Sequence, residues 1–273
     1  MSGKITDLGI RPLIMGILNI TPDSFSDGGR FLAPDKAFNH AVSMIESGAD
    51  IIDIGGESSR PGSEGVSVEE ELSRVIPVIE RLVAEYKTPI SIDTVKSEVA
   101  EKALEAGACM INDISALGAD EKIAAIAAGK DAYLVLMHMR GTPKNMQEDT
   151  DYDDIIGEIS SFLADAARKA INAGVSKDKI IIDPGIGFGK SIDGNFMILK
   201  KLHRFLEIDH HLLVGASRKS FIGKTLDLEQ DERLEGSLAA ACYAVLNGAD
   251  IVRVHDVVET RRALTILDKI VTA

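Results

Sequence analysis

Cysteine is nearly absent: Cys109 and Cys242 are the only two in 273 residues, and no C-x-x-C occurs. A disulfide framework and a structural zinc site are thereby excluded, and a reducing cytoplasm is the expected compartment. Basic residues are outnumbered, 30 Lys and Arg against 43 Asp and Glu, for a formal charge of −13. A field of that sign repels polyanions, which argues against nucleic acid and anionic membrane as partners. A local cluster of Arg and Lys can still take a small anion. No apolar run approaches the ~18 residues that a membrane span requires. The amino terminus, MSGKITDLGI, lacks the cationic segment and apolar core of a signal peptide. No low-complexity linker or compositional break interrupts the chain, so one domain over residues 1–273 is expected; α/β barrels of about 250 residues commonly form one.

What the sequence does contain is a repeat of short apolar runs followed by helical patterns. The runs are Leu13–Leu18, Ile51–Ile54, Ile90–Ile92, Met110–Ile111, Tyr133–Met137, Ile180–Ile182, Leu212–Val214 and Ile251–Val254, eight in all. Such runs read as strands buried on both faces. Helical patterns follow over Asp35–Ser47, Val68–Tyr86, Lys96–Ala106, Glu121–Ala128, Tyr152–Ala173, Asn195–Leu206, Glu232–Leu246 and Val258–Val271. Ser67 and Glu70 have the spacing of a capping box at the second helix. Three helix exits, at Gly48, Gly107 and Gly248, share a short Gly-Ala turn into a strand. Short turns at one end and long, varied loops at the other predict a (β/α)8 TIM barrel with its active site at the carboxyl ends of the strands. A doubly wound open sheet is the alternative, but no G-x-G-x-x-G follows the first strand.

The loop after the first strand carries Pro22, two glycines, aspartates, Phe25 and Phe31. A long polar loop with aromatics, hung from a buried strand, reads as a lid or binding loop. The residues at the strand ends are Asn19, Asp53, Asp93, Asn112, His138, Asp183, Ser217 to Lys219, and His255. Asp93, Asn112 and Asp183 suit a flat heterocycle with a donor-rich edge, because a carboxylate accepts two parallel N–H bonds. Arg60, Lys219, Arg253 and His255 offer positive charge, with Asn19 as an oxygen ligand for a hard cation, a set suited to a diphosphate with Mg²⁺. Together they imply a polar ring carrying a diphosphate. Other features have bland readings. Asp53 could equally bond the backbone of the Gly55-Gly56 turn. His138 reads as a core histidine, and His40, His203, His210 and His211 as surface residues. The run Glu69-Glu70-Glu71 complements a helix dipole and needs no partner. The Gly-rich stretch Asp183–Lys190 lacks the Walker spacing.

Eight motifs in order resemble the dihydropteroate synthase family. They are Asn19–Gly29, Asp53–Gly62, Ser91–Thr94, Ile111–Ile114, Leu136–Met139, Asp183–Lys190, Ser217–Ser220 and Arg253–Asp256. The resemblance implies condensation of 6-hydroxymethyl-7,8-dihydropterin diphosphate with 4-aminobenzoate, through an SN1-like step, by a cytoplasmic homodimer using Mg²⁺. It assigns pterin binding to Asp93, Asn112, Asp183 and Lys219. Asn19 would bind Mg²⁺, and Asn19, Arg60, Arg253 and His255 the diphosphate. Phe188, Lys219 and Ser220 would border the aminobenzoate site. Loops carrying Phe25 and Asp27, and Ser59 and Arg60, would close over the reacting centre; Ser59 stands where the family often has Thr. Asp27, Arg60, Lys219, Arg253 and His255 form the expected catalytic set. Because this places Arg253 on the diphosphate, its removal is expected to spare ring binding. Competing readings are a methyltransferase taking a methylated folate, a Schiff-base aldolase using Lys219, and a pterin-binding paralogue without catalysis.

Overall fold

A computed structural model of the chain describes residues 5–21, 33–58, 62–63 and 65–273. Eight parallel strands form it: β1 (Leu13–Asn19), β2 (Ile51–Gly55), β3 (Ile90–Asp93), β4 (Met110–Asp113), β5 (Tyr133–Met137), β6 (Ile180–Asp183), β7 (His211–Val214) and β8 (Ile251–Val254). Each pairs with the next, and β8 returns to β1, so the barrel is closed. Around it run α1 (Ala33–Glu46), α2 (Val68–Glu85), α3 (Ser97–Glu105), α4 (Lys122–Gly129), α5 (Ile155–Asn172), α6 (Ile192–Lys200), α7 (Ser220–Leu226), α8 (Leu234–Leu246) and α9 (Val257–Thr272).

The period of two along each strand sorts the side chains. Leu13, Met15, Ile51, Met110, Val135, Ile181, Leu213 and Ile251 meet inside the barrel as one apolar cluster. Their neighbours Ile14, Ile52, Ile92, Ile111, Leu134 and Val252 point the other way and pack beneath the helices. Two residues beyond the inner set, the same parity delivers Ile17, Asp53, Asn112, Met137, Asp183, Gly215 and Arg253 to the upper lumen, with Asn19 and His255 one step higher. Cross-strand register puts Asn19, Gly55, Asp93 and Asn112 in a single row. The polar ends are therefore part of the strands, and β1 to β4 and β6 each run further than their apolar residues alone indicate.

Local signals behave as their chemistry requires. Gly48, Gly107 and Gly248 hold φ of +95°, +111° and +96° at the helix exits. The Ser67 hydroxyl caps α2 by accepting from the Glu70 N–H at 3.2 Å. The reciprocal half of that box is missing, because the Glu70 carboxylate pairs with Arg74. The acidic run also departs from its bland reading: Glu71 is 1% exposed and meets the Lys96 ammonium at 2.5 Å. The same ammonium reaches Glu57 at 2.5 Å, tying the β2–α2 connection to β3–α3. His211 opens β7 and faces Asp250 at 3.3 Å instead of lying free on the surface. Two helices, α7 and α8, occupy the interval in which sequence periodicity shows one.

Candidate active site

Nine of the expected site residues gather around one cavity of about 380 Å³ at the carboxyl ends of the strands, among them Asn19, Asp93, Asn112, Asp183, Lys219, Arg253 and His255. Phe188 and Ser220 are the other two. Phe25, Asp27, Ser59 and Arg60 lie outside the described residues. A second cavity of about 420 Å³ adjoins the first, shares Asp93 and Ile114, and extends over β3, β4 and the β5–α5 loop.

Arg253 is the knot of the acidic wall. Its Nε donates to Asp53 Oδ2 at 2.6 Å and its Nη2 to Asp93 Oδ2 at 2.7 Å. Asn112 Nδ2 donates to the same Asp53 oxygen at 2.9 Å. Asp53 thus serves side chains, and its Oδ1 has no partner among the described residues. Nη1 of Arg253 is left uncommitted among the described residues. Burial pushes the Asp93 carboxyl up to about 7, with Arg253 opposing and Asp53 adding to the rise. Asp183 is likewise pushed up by burial, to about 6, against a 2.7 Å bond from the Gly185 N–H and the charges of Lys219, Lys190 and Arg253. Both carboxyls titrate near the pH at which a ligand would be bound, which marks them as functional candidates.

The cationic wall is built from the β7 and β8 ends. Burial, reinforced by Arg253, lowers Lys219 to about 8. Its ammonium stands 3.8 Å above the Phe188 ring, which holds it by a cation–π contact. Arg218, its neighbour, turns away and grips Asp256 through Nε at 2.9 Å and Nη2 at 2.5 Å. Arg218 itself sits at φ +56°, directly before Lys219. Burial and the Arg253 charge push His255 down to about 3. It is a neutral ring at physiological pH, so the positive charge expected of it falls to Arg253 and Lys219. Ser217 Oγ accepts from the His255 backbone N–H at 3.2 Å and stands 3.1 Å from Nδ1. The hydroxyl can donate to Nδ1 or accept from it, so this contact orients the ring in either neutral tautomer. Ser217 is a contributor that sequence reasoning left without a role; its signals were its place at a strand end and at the head of the Ser217–Ser220 motif.

His138 is 6% exposed, edge-on to Phe162 at 4.9 Å, with Nδ1 2.9 Å from the Lys190 ammonium. It is the core histidine that the sequence indicates. Among the described residues no group of three His, Cys, Asp or Glu side chains is placed to hold a metal. No helix among them is long and apolar enough to cross a membrane.

Residues 15–255 match the model of the family described as pterin binding enzyme. The dihydropteroate synthase of Synechocystis sp. is 52% identical over 252 residues, spanning 92% of this chain and 87% of its own. A solved dihydropteroate synthase of Xanthomonas albilineans with 4-aminobenzoic acid is 45% identical, covers 96% of this chain and 94% of its own, and superposes with a TM-score of 0.91. That of Clostridium difficile, solved in the presence of pteroic acid, is 46% identical over 97% of this chain and 99% of its own, with a TM-score of 0.92.

Proposed function

The chain belongs to the dihydropteroate synthases, within the pterin-binding enzymes, and from that premise we propose that it joins 6-hydroxymethyl-7,8-dihydropterin diphosphate to 4-aminobenzoate, releasing pyrophosphate and 7,8-dihydropteroate. One observation carries the reading. A carboxylate-rich wall (Asp93, Asn112, Asp183) and a cationic wall (Lys219, Arg253, with neutral His255) face one cavity. The pterin's guanidine-like edge suits the first wall, since ionised Asp183 accepts two parallel N–H bonds. The diphosphate suits the second, with Nη1 of Arg253 and the Lys219 ammonium as donors and the His255 ring beside them. Phe188, Lys219 and Ser220 border the acceptor amine.

The aryl amine is a weak nucleophile, so the rate must come from the leaving group. The bond from the exocyclic methylene carbon to the diphosphate oxygen breaks, and its electron pair leaves with pyrophosphate. The cation left behind is spread over the dihydropterin, where Asp183 and Asp93 stabilise it. The amine lone pair then closes the C–N bond and the nitrogen sheds a proton. By the resemblance, Arg60 adds to the diphosphate grip, and the loops bearing Phe25, Asp27 and Ser59 keep water from the cation.

Magnesium belongs to the same proposal. Asn19 offers a single neutral oxygen, half-buried at the mouth. So sparse a donor set fits an ion carried mainly by diphosphate oxygens and water, which Mg²⁺ prefers. When bound, it would supply charge to the departing pyrophosphate. The test is to mix the protein with the pterin diphosphate, Mg²⁺ and a panel of aryl amines. Pyrophosphate should appear only with an amine present, 4-aminobenzoate giving the fastest release. Borohydride trapping on Lys219, or release independent of any amine, would overturn the assignment.

The enzyme is further proposed to act as a homodimer in the reducing cytoplasm, in keeping with a chain that has only two cysteines. Phe196 and Met197 on α6, Leu226 at the end of α7, and Tyr243 and Leu246 on α8 are all at least two-fifths exposed, on helices packed side by side. Exposed apolar side chains on neighbouring helices support that reading. Sedimentation should give twice the monomer mass, reduced to one by Leu246→Asp with Tyr243→Asp; a monomeric parent would remove the dimer.

A further inference from the structure

Lys190 closes the Gly-rich loop between β6 and α6 and lines neither cavity. It is 3% exposed, and no carboxylate contacts its ammonium among the described residues. Three acceptors surround it instead: His138 Nδ1 at 2.9 Å, the His138 carbonyl at 3.2 Å and the Phe188 carbonyl at 2.8 Å. Three N–H bonds for three acceptors is the full complement of a protonated lysine. A cation this deep with no carboxylate in contact is costly, so its retention calls for a return elsewhere in the fold.

The loop it fastens provides one. Directly after Asp183, the Gly185 N–H donates to the Asp183 carboxylate at 2.7 Å. At φ +69° the Gly185 backbone lies so near the His138 carbonyl that an added Cβ would stand 1.9 Å from it. Three residues on, Phe188 lies under the Lys219 ammonium. The His138 N–H in turn bonds the Asp183 carbonyl at 2.9 Å. Asp183, Gly185, Phe188, Lys190 and His138 therefore form a ring of contacts across the tops of β5 and β6. We propose that Lys190 is a positioning residue for pterin recognition: a buried ammonium that pins this loop to β5 and keeps the Asp183 carboxylate aimed and charged.

The charges around the pair are few. Lys219, Lys190 and Arg253 act on Asp183, and each favours its ionised form. Asp183 supports the charge on Lys190, while Lys219 and Arg140 oppose it and, with burial, lower it to about 7. Burial, and then the Lys190 charge, push His138 down to about 3, and the neutral ring can accept from the Lys190 ammonium at Nδ1 when its proton is on Nε2. Without Lys190, Asp183 loses one of three cations and the anchor of its backbone donor.

The proposal rests on Asp183 as the pterin's anchor, yet it is testable without ligand, by following the ¹³C carboxyl resonance of Asp183 with pH. In Lys190→Met the midpoint should rise by roughly one unit, as expected for loss of a nearby opposite charge. In Tyr152→Phe, which removes only the 2.8 Å bond to the Gly189 carbonyl of the same loop, it should not move. Lys190→Ala should show the same rise, and ethylammonium should bring it back towards the parent value, which covers a failure of the methionine variant to fold. An Asp183 midpoint unchanged in the Lys190 variants would overturn the proposal and leave Lys190 a structural residue. The rise, seen in a parent that binds no pterin, would support the coupling and sink the pterin reading instead.

Discussion

Arg253→Met should lower stability by about 3–5 kcal/mol, the usual cost of stranding buried charges, and should cut turnover by about 100-fold. The guanidinium bridges Asp53, which is wholly buried, and Asp93. Removing it leaves two neighbouring carboxylates, one of which has no partner on Oδ1 among the described residues. They can settle only by taking up a proton, and Asp93 is then lost as an acceptor for the pterin. Ring binding should therefore weaken together with turnover, whereas the sequence, by placing Arg253 on the diphosphate alone, suggested that the ring would be spared. Adding Asp53→Asn to Arg253→Met should restore part of the stability, since one stranded charge is gone, and none of the turnover. Urea unfolding midpoints and kcat/KM report the two effects separately. A variant within about 0.5 kcal/mol of the parent, the ordinary range for surface substitutions, would show that the bridge is not made in solution.

Asp183→Asn should weaken pterin binding by about 100-fold, some ~3 kcal/mol, which is the scale for hydrogen bonds to a charged group. The amide is the same size, but it offers one oxygen and turns an N–H₂ towards a ligand edge that also donates. Two donors would then face each other in a site from which water is largely excluded. The Gly185 N–H, 2.7 Å from the carboxylate, would fix the amide oxygen on its own side and leave the nitrogen towards the ligand. Turnover should fall at least as far, because the same carboxylate steadies the dihydropterin cation.

The fold was legible because burial on both faces of a parallel strand leaves continuous apolar runs, and a period of two then decides which polar residues rise into the lumen. Asp93, Asn112, Asp183 and Arg253 could be placed by counting along their own strands. Their partners could not. Arg253 reaches Asp53 across 200 residues and Asp93 across 160, through the closure of β8 on β1 and the row that joins β1 to β4. Local pattern carries no record of that geometry. The same holds for Glu71, whose place in an acidic run looked like dipole compensation until Lys96 arrived from the next βα loop. The neutral state of His255 follows from burial beside Arg253, which only the assembled site supplies. The helix α7 was missed for a local reason: seven residues with Gly223 among them and no capping side chain give no periodic signal.

The central claim is that the ring of the ligand is held by ionised carboxylates at the top of the barrel. Calorimetric titration of 6-hydroxymethyl-7,8-dihydropterin from pH 7.5 to about 5 tests it most directly, because a ligand without the diphosphate contributes no phosphate titration of its own near pH 6. Affinity should begin to slip near pH 7, as Asp93 takes up its proton. Below about 6, where Asp183 follows, it should fall about tenfold per pH unit. Asp183→Asn, already weak, should keep only the first and shallower loss. Affinity that stays level across the whole range, or that declines identically in parent and variant, would contradict the account.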